Sequence, residues 1–162
     1  MAGVGAAILA NQLDPASITL EITEGLISAD RSEAHDTIRA LKALGTWLAI
    51  DDFGTGHSSL GRLRAFDFDE LKIDRTFVSD IDSGDTTLVA TQVAMARGLG
   101  LNVVAEGVET AAELEYLRRI GCQQVQGFFI ARPLPPEAVR ALLAGPGVWT
   151  DQNECHGLAT SQ

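Results

Sequence analysis

Short apolar runs with a charged or amide residue at or near their ends recur along this chain. They are ITLEITE (18–24), WLAIDDFGTG (47–56), DELKIDR (69–75), NVVAEGVE (102–109) and QQVQGF (123–128). Each is short enough, and apolar enough, to predict a buried strand. In the first, Ile18, Leu20 and Ile22 share one face while Thr19, Glu21 and Thr23 share the other. In the third, Leu71 and Ile73 oppose Lys72 and Asp74. Between the runs the apolar spacing becomes helical. Ala34, Ile38, Leu41 and Leu44 predict a helix over Ser32 to Leu44, stopped by Gly45. Leu88, Val93, Ala96 and Leu99 predict another over Asp85 to Leu99, before Gly100. Thr110 to Ile120 opens with the cap signal T-A-A-E and ends at Gly121. Pro135 to Leu143 predicts a last helix with proline in its first turn. The opening MAGVGAAILANQLD predicts an amphipathic helix that stops near Leu13-Asp14-Pro15.

Strands alternating with helices imply a parallel sheet with right-handed crossovers. One apolar and one polar face per strand favours a barrel, whose inner face is the polar one, over a doubly wound sheet. A complete barrel of this kind has about eight strands and about 250 residues. This chain shows five such runs in 162 residues. The expected fold is therefore α/β: a partial, modified TIM barrel of five parallel strands with flanking helices, without the first strands. Such a sheet leaves two edges exposed.

Composition narrows the function classes. A net charge of −10 argues against a nucleic-acid polymer as partner, because phosphate backbones are bound by clustered lysine and arginine. An anionic small molecule remains compatible if a metal cation bridges it to the acids. Cys122 and Cys155 have neither zinc-ligand spacing nor a disulfide pattern, which fits a reducing cytoplasm. No apolar stretch approaches the roughly 20 residues of a membrane span. The segment from Thr150 to Gln162 is polar and aperiodic, and is expected to be disordered.

Glu21, Asp51, Lys72, Glu106 and Gln126 each fall at or near a strand end. That is where barrels carry their chemistry. Asp51 and Asp52 are adjacent, point to opposite sides and could bridge two divalent cations, with Glu21 and Glu106 adding oxygen ligands. Hard oxygen donors suit Mg²⁺ or Mn²⁺. Two such ions would activate water and clamp a phosphodiester. Lys72 could hold the water or offset phosphate charge. Any one of these acids alone reads equally well as a solvated strand-end residue; five such residues in register do not. Gly54, Thr55 and Gly56 make a tight loop that serves as a plain βα turn or a phosphate cradle. His57 reads as a helix-start residue.

LEITE, DDFGTGHSSL, LKIDRTFV, VVAEGVET and QGFFIARPLP, in that order between Leu13 and Leu143, resemble the EAL family of cyclic di-GMP phosphodiesterases. The resemblance implies a modified TIM barrel, and Mg²⁺- or Mn²⁺-dependent hydrolysis of cyclic di-GMP to linear pGpG. It makes Glu21 and Asp51 ligands of a first metal and Asp52 a ligand of a second. Lys72 becomes the lysine that contacts the catalytic water. Glu106 becomes a general base or second-metal ligand. Glu24 and Glu109 become acids that hold the DDFGTG loop, Gln126 a substrate-side glutamine, and Asp74 a substrate-side residue of KIDR. Arg75 is left between an ion pair and a phosphate contact. An EAL-like domain is expected over 1–146, with 147–162 as tail.

Four departures temper that picture. No E-A-L or E-x-L-x-R motif precedes Glu21, and Asn11 lies in the wrong context for the family's asparagine ligand. The family's substrate-gripping arginine is absent with the first motif, and His57 stands where tyrosine is usual. The chain alone is therefore expected to be inactive or impaired. The alternative is a non-catalytic remnant that binds cyclic di-GMP or a protein. Its open edges could pair in a homodimer or with a complementary chain, or a longer gene product could supply the first strands.

Overall fold

The computed structural model describes residues 2–25, 31–54 and 66–144. The expectations for Thr55, Gly56, His57 and the tail from 147 lie outside these residues. Helix α1 (Ala2–Ala10) leads through a turn at Pro15–Ser17, where the Asp14 carboxylate accepts from the Ala16 N–H, into strand β1 (Thr19–Thr23). Then follow α2 (Arg31–Lys42), β2 (Trp47–Asp51), β3 (Glu70–Ile73), α3 (Arg75–Ser83), α4 (Thr87–Gly98), β4 (Asn102–Ala105), α5 (Ala111–Ile120) and β5 (Gln124–Val125). All five predicted strands are present, shortened at their ends, in one parallel sheet of order β1-β2-β3-β4-β5. Residues up to Ile130 form one compact unit. Helix α6 (Pro136–Ala144) belongs to a second, beginning at Ala131, and carries Glu137 in its first turn.

Alternation sorts the strand residues as expected. Leu48, Ile50, Leu71, Ile73, Val103 and Ala105 enter the core with Ile38 of α2, Val78 and Ile81 of α3, Val89 and Val93 of α4, and Leu114 and Leu117 of α5. Burial of each large aliphatic side chain contributes about 1.5–3 kcal/mol. The other face carries Glu21, Ala49, Asp51, Glu70 and Lys72, so packing of the apolar face orients the polar one. The Lys42 ammonium meets Asp69 Oδ1 at 2.6 Å, and Asp69 Oδ2 accepts from the Leu48 N–H at 2.8 Å. This joins α2, β2 and the start of β3.

Three features differ from the sequence reading. Helix α3 has no counterpart in it, although Asp74 caps the helix, Gly84 ends it in the left-handed region, and Val78 and Ile81 are buried. Helix α1 is apolar around its circumference rather than amphipathic; Ile8 is buried whereas Leu9 is 79% exposed. On α4 the buried residues are Val89, Gln92, Val93 and Ala96, while Leu88 faces outward.

Candidate active site

Lys72 is the centre of the site. Leu71 and Ile73 point into the core, so the residue between them must face the opposite side. Register then supplies its neighbours. Ile50 pairs with Leu71, which sets Asp51 beside Lys72. Lys72 pairs with Val104, two residues before Glu106, and the Glu106 N–H extends the ladder to the Ile73 carbonyl at 3.0 Å. Glu21 reaches in from β1, where it pairs with Ala49. The Lys72 ammonium lies 2.7 Å from Glu21 Oε1, 2.6 Å from Glu106 Oε1 and 3.4 Å from Asp51 Oδ1.

Lys72 is only 5% exposed. Burial alone would lower its pKa, but hydrogen bonds to Glu106 and Glu21 and the field of Asp51 outweigh it, so the lysine stays charged more tenaciously than a free one. Three carboxylates around one ammonium leave the site net negative, which attracts further cations.

Glu70 was not singled out by sequence. It lies two residues before Lys72 on the same face and is buried. Burial raises its pKa; Lys72 works against this, and Glu21 and Asp69 add to it. The signal available in sequence was its parity with Lys72.

Beyond β2 the chain turns sharply. Asp52 takes a left-handed φ of 57° and Gly54 one of 93°. A non-glycine residue in that region is held there by its surroundings. The buried Glu24 carboxylate is one such restraint, accepting from the Gly54 N–H at 3.3 Å. Gln92 approaches the same peptide from α4.

The remaining expected residues are placed as follows. Asp74 Oδ1 accepts from the Thr76 N–H at 2.9 Å and the Thr76 hydroxyl at 2.5 Å, as the cap of α3. The hydroxyl bond, opposed by partial burial and helped by the backbone bonds, lowers its pKa. Arg75 is exposed, and no ion pair to it occurs among the described residues; its stem packs on Gly107, whose φ is 69° and where a Cβ would strike Arg75 Cβ. Gln126 is exposed, and its backbone bridges Ala105 and Val108. The next residue must be glycine, because a Cβ on Gly127 would collide with the Val108 backbone. Glu109 is exposed, and it is its N–H, donating to Glu113 Oε2 at 2.6 Å, that is engaged. The structure thus brings Glu21, Asp51, Lys72 and Glu106 together, sets Glu24 against the following loop, and leaves Glu109 without a contact to that loop among the described residues.

The donors suit a hard divalent cation in type: they are carboxylate oxygens at one strand-end rim. Among the described residues no three such side chains are grouped so as to hold a metal ion by themselves. A cation would share Glu21 and Asp51 oxygens with Lys72.

A parallel α/β sheet with carboxylates and a lysine gathered at its strand ends is the arrangement of a barrel-type active site. The chain belongs to the EAL domain family, whose profile matches residues 4–133. It is 44% identical over 140 residues to the bifunctional diguanylate cyclase/cyclic di-GMP phosphodiesterase MucR of Pseudomonas aeruginosa, covering 85% of this chain and 20% of MucR. The chain therefore spans about a fifth of that relative. The solved structure of the MucR phosphodiesterase with cyclic di-GMP matches with a TM-score of 0.79 at 43% identity, over 84% of this chain and 56% of that one. The manganese and cyclic di-GMP complex of Klebsiella pneumoniae BlrP1 matches with a TM-score of 0.74 at 36% identity, over 82% and 34%. Among the described residues no helix is long and apolar enough to cross a membrane.

Proposed function

We propose that these residues form the later-strand part of a metal-dependent cyclic di-GMP phosphodiesterase site, and that residues 1–162 by themselves hydrolyse the nucleotide poorly. The observation that carries this reading is the convergence of Glu21, Asp51 and Glu106 on Lys72 within 3.4 Å. It is the arrangement a phosphodiester site needs: a fixed cation beside carboxylates able to hold metal and take a proton. MucR and BlrP1, both solved with cyclic di-GMP, support the substrate, and the BlrP1 manganese complex supports a divalent ion.

In this reading Glu21 and Asp51 would hold one Mg²⁺ or Mn²⁺, and Asp52 would be a ligand of a second. Bound divalent metal supplies an activated water and neutralises phosphate charge. Lys72 orients the attacking oxygen and offsets charge on the phosphoryl oxygens. Glu106, held by Lys72, would accept the water's proton. Asp74 and Gln126, which follow β3 and β5, would contact the nucleotide, while Glu24 would steady the loop after Asp52. The reducing interior of the cell is the compartment where this substrate and the free Cys122 are both at home.

The test is conversion of cyclic di-GMP to pGpG with Mg²⁺ or Mn²⁺, run beside calorimetry with the same nucleotide. We expect binding heat and slow turnover, lost in Lys72→Ala. Robust turnover would overturn the impaired activity. Heat without turnover would favour the non-catalytic binding reading. Absence of both would remove cyclic di-GMP as ligand.

A further inference from the structure

We propose that Gln92 is a positioning residue: from α4 it clasps the Phe53–Gly54 peptide and thereby holds the Asp51–Asp52 turn. The proposal rests on reading Asp51 and Asp52 as metal ligands for its functional consequence, but not for the clasp itself.

Three observations carry it. First, one peptide unit is held from both sides. Its N–H, on Gly54, donates to Glu24 Oε2 at 3.3 Å, and its carbonyl, on Phe53, accepts from Gln92 Nε2 at 3.5 Å. Glu24 follows β1 and Gln92 lies on α4, so the two restraints come from different parts of the fold. The carbonyl can be satisfied only by a donor, which fixes the amide with its nitrogen toward Phe53.

Second, the loop is pressed onto this residue. A Cβ on Gly54 would lie 2.7 Å from Gln92 Nε2 and 3.6 Å from the Phe77 ring. Gly54 itself has a φ of 93° and Asp52 one of 57°, so the turn needs external restraint.

Third, Gln92 is a poor residue for its place in the core. It is 8% exposed on a helix face shared with Val89, Val93 and Ala96. Its Oε1 is buried without a hydrogen-bond partner among the described residues. An apolar side chain would fill the site without an unmet acceptor, so stability does not account for the amide. The contact with the Asp52 turn does.

The test uses Gln92→Met, which keeps the length of the chain and removes the donor, with Gln92→Leu as a second variant should the first not fold. Hydrogen exchange is followed over Leu48 to Gly54, thermal unfolding over the whole chain, and Mn²⁺ affinity by paramagnetic resonance. We expect an unfolding midpoint equal to or above the parent's, exchange across the turn faster by about ten-fold, and Mn²⁺ affinity weaker by about 10–100-fold, as for other outer-shell losses. Unchanged exchange in the folded variants would overturn the clasp, as would loss of turn protection only in step with loss of global stability. If the parent itself binds no Mn²⁺, the metal-site reading fails, and the exchange measurement alone decides the clasp.

Discussion

Lys72 unites three carboxylates that would otherwise repel one another. Its replacement by methionine keeps the aliphatic stem and deletes the charge. Removing one partner of a fully buried ion cluster costs about 3–5 kcal/mol. Here Glu21 is half exposed, so solvent screens it, and a loss of about 1–3 kcal/mol is the expected outcome. Adding Mn²⁺ should then raise the unfolding midpoint of Lys72→Met by more than that of the parent, because a cation can replace the missing ammonium. A thermal shift series with and without Mn²⁺ checks both, and equal shifts would show that the acids do not form a cation site. The pH dependence follows from the direction of the lysine's shift. Its folded pKa lies above the unfolded one, so its stabilisation is complete below about pH 10.4 and is lost only as pH rises through the folded value. At residue scale the cluster was legible because acids and a lysine stand at strand ends, and parity puts them on one face. Glu70 was missed because an acid at the start of a strand reads as solvated. Gln92 was missed because its partner is a backbone carbonyl 39 positions away, which no local pattern records.

The elements show how helix starts serve the site. The Thr110 hydroxyl accepts from the Glu113 N–H at 3.1 Å, and Glu113 Oε2 accepts from the Thr110 N–H at 2.9 Å and from Glu109 at 2.6 Å. This reciprocal cap fixes the chain just after Glu106–Gly107–Val108, where Val108 also bonds the backbone of Gln126. Thr110→Ala should therefore cost about 1 kcal/mol. Glu113→Ala should cost more, because it releases two backbone N–H groups at a buried position. Urea unfolding of the two variants measures this, and a larger loss in Thr110→Ala would contradict the assignment. The cap was visible in sequence as T-A-A-E. Helix α3 was not, because its start falls directly on the strand-end motif KIDR and Asp74 was read as chemistry rather than as a cap. Leu88 was misassigned on α4 because the buried stripe includes a polar residue, Gln92, which a hydrophobic pattern cannot enlist. Helix α1 misled differently: alanine and glycine contribute apolar character without defining a face.

At the scale of the molecule, strands differ in how completely they are enclosed. Strands β3 and β4 are paired on both sides, and all four residues of β3 are buried. Among the described residues β1 pairs only with β2, and β5, two residues long, only with β4. Strand number was legible because each short apolar run carries a charged or amide residue at or near its end. The state of the two outer edges was not, since an edge is defined by what lies beside it. Local opening free energies range from near zero at edges to the global value in the core. Amide exchange should therefore be slowest at Leu71, Ile73 and Val103. It should be faster, by orders of magnitude, at those amides of Thr19–Thr23 that do not face β2. An unpaired row of this kind is a template for another strand. If a second copy of the chain covers it, protection of β1 must rise with protein concentration while that of β3 stays constant. Exchange measured across a hundred-fold range of concentration, about the span over which a weak dimer forms, tests this. Protection of β1 that is high and independent of concentration would mean that β1 is not an edge in solution. Uniform protection across all five strands would show that the sheet opens only as a whole, and that its centre and margins share one stability.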